Sequence, residues 1–264
     1  MIPSLIVAPN GARKTKTDHG AIPITVAETV DAASFCHAMG ASVLHAHVRD
    51  DDGSHILDAK RYCHLIDRMQ ERCPRMIVQI TTEAVGIYTP SQQRTVVFDV
   101  MPQAASVALR EMIADGDYGD FYHQCWDNNI HLQHILYDAT DVRTLCDLME
   151  NGRIPHTQNT VLYVLGRYQK DQQSSPQDLQ SFLDAAKEQQ FIWYVCAFGQ
   201  AEMACLLAAA KQGGHLRIGF ENNHLMYNGE VAPDNAAQIV ALRQNLQVNG
   251  QKLAGHANIA GFGI

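Results

Sequence analysis

Apolar runs of strand length alternate eight times with amphipathic segments of helix length, and few folds accommodate that order. The pairs are Ser4 to Ala8 then Thr25 to Met39, Ser42 to Arg49 then Ala59 to Arg72, Met76 to Thr82 then Ser91 to Val100, and Ala104 to Arg110 then Asp115 to Asn128. The second half continues with His131 to Tyr137 then Thr140 to Glu150, Thr160 to Gly166 then Pro176 to Gln189, Phe191 to Phe198 then Ala201 to Gln212, and His215 to Glu221 then Pro233 to Val248. Strands separated by helices run parallel, and eight such units in about 250 residues fit a closed barrel. The expected fold is therefore α/β, a single (β/α)8 TIM barrel over residues 1–264, with an open doubly wound sheet as the alternative. Thr25 or Ala27 before Glu28, Ser175-Pro176 at a helix start, and Gly40 and Gly213-Gly214 at helix ends agree with these boundaries.

Barrel active sites lie at the C-terminal ends of the strands, so those ends supply the candidate residues. In the second strand alternation puts Val43, His45, His47 and Arg49 on one face and Ser42, Leu44, Ala46 and Val48 on the other. Two imidazoles at i and i+2 sit about 6.6 Å apart at Cα and can converge on one cation. On its own, such a pair serves equally well as two hydrogen-bonded core histidines. The eighth strand places Arg217 and Glu221 on its polar face. Barrel closure brings that strand next to the first and near the second, so Glu221 can reach a cation held by His45 and His47. Two histidines and a carboxylate leave coordination open for substrate, the catalytic rather than the structural arrangement for zinc. The third strand aligns Gln79, Thr81 and Glu83, and the fourth aligns Ser106, Ala108 and Arg110.

Basic residues recur at these ends: Arg13, Lys14 and Lys16 after the first strand, Arg49, Arg110 and Arg167 after later ones, and Arg217 within the eighth. The chain carries a net charge of -8, so a local concentration of cations points to an anionic ligand, carboxylate or phosphate. The same acidity argues against nucleic-acid binding. The first residues lack a basic region, and Pro9 breaks their apolar run, so neither a signal peptide nor a membrane span is expected. Seven cysteines without a Cys-x-x-Cys pair suit a reducing cytoplasm.

Several stretches together resemble the β-keto acid cleavage enzymes, in order and spacing from about residue 5 to residue 240. They are Ala8-Pro9-Asn10-Gly11-Ala12-Arg13, Pro23-Ile24-Thr25, Gly40-Ala41 through His45-Ala46-His47-Val48-Arg49-Asp50, Gln79-Ile80-Thr81-Thr82 and Arg217-Ile218-Gly219-Phe220-Glu221-Asn222. The resemblance implies a zinc-dependent barrel that condenses a β-keto acid with acetyl-CoA and releases acetoacetate and a new CoA thioester. It implies His45, His47 and Glu221 as zinc ligands, Thr81 and Ser106 as substrate-binding hydroxyls, and Arg217 as the arginine of a catalytic dyad. Arg49, Arg110 and Asn222 join them as expected substrate contacts. A homo-oligomer, dimer or tetramer, is expected by the same analogy.

Two departures stand out. The family has an aspartate after the ligand glutamate, where this chain has Asn222; an amide cannot act as a general base, so Glu83 or Glu111 is expected to supply the carboxylate. Arg13 stands where the aminohexanoate-cleaving members have a glutamate facing an ammonium group, and this sign reversal predicts a substrate with a neutral or acidic far end. Other divalent ions also suit a two-histidine, one-carboxylate site. The alternatives are a metal-dependent barrel hydrolase and a non-catalytic relative that binds zinc and acyl-CoA. His19, His55, His64, His123 and His256 read as surface or helix residues, Cys196 as core, and Trp126 and Trp193 as packing between helices and barrel. His134 and Tyr137 end the fifth strand with ambiguous parity.

Overall fold

The structure is a computed structural model that describes residues 2–167, 171, 173–254 and 259–262. Eight parallel strands close in sequence order into a barrel. They are β1 (Leu5–Val7), β2 (Val43–Ala46), β3 (Ile77–Thr81), β4 (Ala104–Ala108), β5 (His131–Leu136), β6 (Thr160–Leu165), β7 (Ile192–Ala197) and β8 (His215–Ile218). The helices around them are α1 (Val26–Met39), α2 (Ala59–Arg72), α3 (Pro90–Val100), α4 (Leu109–Met112), α5 (Gly119–Asp127), α6 (Ala139–Glu150), α7 (Leu179–Ala185), α8 (Glu202–Lys211) and α9 (Asn235–Val248). The expected TIM barrel is present.

Local chemistry sets these boundaries. Thr25 accepts from the Glu28 amide while Glu28 reaches back to the Thr25 amide, which closes a capping box at α1. Asp58, Asp138 and Asp234 cap α2, α6 and α9 by accepting from first-turn amides, and each such cap contributes about 1 kcal/mol. The strands' outward residues, among them Leu5, Val7, Leu44, Ala46, Ile80, Leu216 and Ile218, pack with the helices in one buried cluster. Their inward residues form two layers. Ile6, Val43, Ile77, Ala104, Leu162 and Tyr194 fill one end of the barrel with apolar bulk, and the polar residues lie above them toward the C-terminal ends.

The C-terminal segment, which the strand pattern leaves unassigned, closes the apolar end. Phe262 is fully buried against Tyr194, the Tyr194 hydroxyl donates to the Ala260 carbonyl at 2.8 Å, and Thr160 donates to the Gly261 carbonyl at 3.1 Å. Three other differences bear on the site. Strand β2 ends at Ala46 and β4 at Ala108, short of the expected Arg49 and Arg110: Arg49 instead bridges to His55, and helix α4 starts at Leu109. The helix expected over Asp115 to Asn128 is divided: α4 forms directly from the end of β4, and Gly116 at φ +73° separates it from α5. Trp126 is 42% exposed rather than packed against the barrel, whereas Trp193 stacks on Tyr163.

Candidate metal centre and pocket

The polar layer converges on one point. His45 leaves β2 pointing inward, and His47 follows just beyond the strand's last residue. Their Nε2 atoms are 3.1 Å apart, and Glu221 Oε2 lies 3.5 Å from each. Two glycines bring Glu221 there. Gly219, at φ +142°, presses against the Ala8 carbonyl where any Cβ would collide. Gly11, at φ +66°, leaves the space beside Glu221 that a Cβ would enter to within 2.6 Å of its Cγ.

These three side chains fit a divalent cation. Bonds of about 2.0–2.1 Å at tetrahedral angles put ligand atoms about 3.3 Å apart, and the observed edges bracket that value. Burial lowers the His45 pKa to about 4 and that of His47 well below its usual value, so both rings present neutral nitrogen at pH 7. Burial opposes ionisation of Glu221, but the Arg217 guanidinium, followed by His45, holds its carboxyl well below the usual carboxylate range. Glu221 Oε2 is buried without a hydrogen-bond donor. An oxygen in that state costs about 1–3 kcal/mol unless a cation or water meets it. The His45 tautomer is set from behind: Gln79 Oε1 lies 2.8 Å from His45 Nδ1, and Gln79 Nε2 donates to Gln133 at 3.2 Å. Nδ1 therefore carries the proton and Nε2 faces inward with its lone pair. Among the described residues this is the one cluster of histidine, cysteine or acidic side chains whose geometry suits a metal.

The pocket over this point is lined by His45, His47, Thr81, Glu83, Arg217 and Glu221 on its polar side, with Arg167 at its edge. Ile135, Tyr137, Val164 and Phe198 form the apolar side. Arg217 is 3% exposed and donates to Glu221 Oε1 at 2.9 Å and to Asn222 at 3.4 Å. A buried ion pair of this kind seldom adds to stability, and its place in a barrel mouth makes Arg217 a candidate functional residue. Glu83 has one oxygen 3.2 Å from Arg167 and the other 4.0 Å from His47 Nδ1. Burial, reinforced by Glu221, raises its pKa to about 7, against the opposing charges of Arg167 and Arg13.

Other expected residues lie elsewhere. Arg49 is buried, but its guanidinium donates to the Gly11, Lys14 and Gly53 carbonyls, so it ties the β1 and β2 loops together. Arg110 belongs to α4, where strand alternation no longer applies; it pairs with Asp138 and Asp141 and packs on the Tyr137 ring, outside the pocket lining. Glu111 is on the same turn and accepts from the Ala84 amide and Gln93, which anchors the loop carrying Glu83. Arg13 is exposed outside the pocket lining. Ser106 sits inside the barrel beside Thr81 in register, and Asn222 is buried behind Arg217. His55 is buried rather than superficial: its ring is 5.1 Å from that of His47, and its Nε2 meets the Glu83 carbonyl. His134 contacts the Gln158 carbonyl and Tyr122, whereas Tyr137 reaches the pocket. His256 lies outside the described residues. Sequence reasoning passed over Gln79 as the partner of His45 because a glutamine carries no charge to signal it.

A second buried carboxylate, Glu202 at the start of α8, lies close by and accepts from Asn223. Burial raises its pKa to about 8. Between about pH 4.5 and 8 the folded protein therefore keeps a proton that the unfolded chain has lost, so stability falls as pH rises through that window. Glu202→Gln is expected to remove this slope, gaining on the order of 3 kcal/mol relative to wild type between pH 5 and pH 7.5. Urea unfolding at the two pH values measures it, and an equal wild-type-to-variant difference at both would contradict it.

The comparisons with known proteins agree with this geometry. The sequence model of the beta-keto acid cleavage enzyme family matches residues 4–260. A 3-keto-5-aminohexanoate cleavage enzyme of Acetoanaerobium sticklandii is 29% identical over 236 residues, covering 85% of this chain and 84% of the relative. A 3-oxoadipate:acetyl-CoA acetyltransferase of Cupriavidus necator is 23% identical, covering 89% and 86%. Among solved structures, the ternary complex of ObcA with C4-CoA adduct and oxalate superposes with a TM-score of 0.74 at 14% identity. That match covers 90% of this chain but only 66% of the ObcA chain, so it speaks for the fold alone. No helix among the described residues is long and apolar enough to cross a membrane. With its family-model match across nearly the whole length, the chain belongs to the β-keto acid cleavage enzyme family.

Proposed function

We propose that this chain is a zinc-dependent acyltransferase that converts a β-keto acid and acetyl-CoA into acetoacetate and a new acyl-CoA. The observation that carries the reading is the convergence of His45, His47 and Glu221 at tetrahedral ligand spacing beside the buried Arg217. Those three residues would hold the ion, and other divalent ions suit the same set. When bound, the ion would polarise the keto group and offset the negative charge that gathers during C–C cleavage.

The remaining steps fall to the chain's own side chains. Glu83 is the pocket-lining carboxylate left to act as base, since Asn222 cannot and Glu111 is turned away. It takes a proton from C2 of the β-keto acid, and C2 bonds to the acetyl carbonyl carbon as the CoA thiolate leaves. The thiolate then attacks the C3 keto carbon, the C2–C3 bond breaks, and C2 recovers the proton from Glu83 to give acetoacetate. Arg217 supplies fixed positive charge to the oxygens that become anionic. Thr81 presents a hydroxyl at the pocket wall, and the apolar side formed by Ile135, Val164 and Phe198 accommodates the carbon chain.

Mass spectrometry of CoA esters, after mixing zinc-loaded protein and acetyl-CoA with β-keto acids of varied far ends, tests the reaction. Acetoacetate and a matching ester in equal amounts are expected. Zinc retained with no ester from any substrate would favour the non-catalytic reading that Asn222 raises. Membership of this family leaves the hydrolase reading without support. Gln79→Leu removes the acceptor that fixes His45, and is expected to weaken zinc affinity about 10- to 100-fold. Competition with a chelator reads this directly, and an unchanged affinity would show that Gln79 only packs.

A further inference from the structure

We propose that Arg167 selects the far end of the substrate, and that the preferred β-keto acid is a dicarboxylate whose second carboxylate docks on this guanidinium. The proposal rests on the acyltransfer reading above and specifies its substrate class.

Arg167 follows β6 directly after Gly166, whose φ is +80°. Its side chain is 16% exposed and lies 5.0 Å over the Phe198 ring, at the edge of the pocket that contains His45, His47 and Arg217. Stacking of this kind holds the guanidinium plane while leaving its N–H edge free to bond. Among the described residues that edge makes one hydrogen bond, from Nη2 to Glu83 Oε1. Five donors therefore serve a single acceptor oxygen, whereas a carboxylate can take two in parallel. Arg13, the residue whose sign first suggested an acidic substrate, is exposed and outside the lining. The charge that a substrate's far end meets inside the pocket is that of Arg167.

Reach and charge lead to the same class. Glu83 connects the two ends of the site, with one oxygen at Arg167 and the other 4.0 Å from His47. The guanidinium is thus no more than about 9 Å from the His47 ring, so an extended six-carbon chain with a contact of about 3 Å at its end is long enough to span the site. Within the pocket lining each arginine is paired with one carboxylate, Arg217 with Glu221 and Arg167 with Glu83. A divalent cation leaves an excess of two positive charges. A dicarboxylate cancels both, a monocarboxylate cancels one, and a β-keto acid with an ammonium at its far end cancels none. In a partly desolvated pocket an uncancelled charge is costly.

The test uses the zinc-loaded full chain with three β-keto acids of matched length: 3-oxoadipate, 3-oxohexanoate and 3-keto-5-aminohexanoate. In wild type, kcat/KM for 3-oxoadipate is expected to exceed that for 3-oxohexanoate about 30-fold or more, with the ammonium compound lowest. Arg167→Met should bring the first ratio to near one, and Arg167→Lys should keep the order with a smaller ratio. Calorimetric binding of the same acids without acetyl-CoA should show the same change in ratio. If the Met variant does not fold, Arg167→Gln, which keeps a polar side chain and loses the charge, carries the comparison. A wild-type preference for the neutral acid, or an equal loss on both acids in the variants, overturns the proposal. Absence of CoA ester from all three acids, with the binding ratio still dependent on Arg167, would overturn acyl transfer and leave charge selection standing.

Discussion

His47→Ala is expected to lower turnover by at least about 10³-fold and to leave the purified protein without stoichiometric metal. Among the described residues three side chains converge as candidate ligands, and removing one would leave two, too few for tight binding of a divalent ion against water. The loss should exceed that of Gln79→Leu, which acts on the same centre through His45 and leaves all three ligands in place. It should also leave the fold intact. His47 leaves the sheet after Ala46, its Nδ1 has no hydrogen-bond partner, and its side chain adds little to the barrel's apolar packing. Elemental analysis beside the acyl-transfer assay gives the answer. A variant with one metal per chain and turnover within tenfold of wild type would remove His47 from the ligand set and with it the proposed chemistry.

The contrast between His47 and its neighbour Arg49 shows how far the sequence could be read. Period-two alternation is a property of extended backbone, so it orders side chains correctly only while the strand lasts. It is reliable through His45, and it also aligned Gln79 with Thr81 and Ser106 with Ala108. Beyond Ala46 and Ala108 the barrel ladder ends, and the residues assigned by parity to the mouth scatter: Arg49 binds backbone carbonyls and Arg110 joins a helix. Glu221, past the end of β8, still reaches the histidines, but only because Gly219 and Gly11 permit a close passage that alternation does not encode. Residues with no charge or motif were the hardest to assign. Gln79 acts through an amide, and the C-terminal plug around Phe262 depends on contacts with β6 and β7 about seventy to one hundred residues away in the chain. Arg167 was legible as a cation, but its place in the pocket depends on the turn at Gly166 and the ring of Phe198.

The identity of the base decides whether Asn222 marks a lost activity or a relocated one. Glu83→Gln is expected to lower kcat about 10²- to 10⁴-fold, the usual range for a positioned proton acceptor, while metal content stays at one per chain. The direction of its pH dependence follows from the site. Burial and the neighbouring Glu221 raise the Glu83 pKa to about 7, so the carboxylate form that can take a proton is depleted below that pH and grows above it. In wild type kcat/KM should therefore rise with pH along an acid limb at about 7 or lower, since a bound cation favours the ionised form. The Gln variant should lose that limb as well as the rate. Stability gives an independent check of the same shift: a carboxyl with a raised pKa in the folded state destabilises it progressively as pH climbs from about 4.5 to 7, and Glu83→Gln should flatten that fall. Asn222→Asp, which restores the family's residue behind Arg217, provides the converse measurement. If Glu83 is the base, the Asp variant should not rescue Glu83→Gln to wild-type turnover, because Asn222 is buried 3.4 Å from the guanidinium and outside the pocket lining. Full rescue, or a Glu83→Gln enzyme within threefold of wild type with its acid limb intact, would place proton transfer at another group.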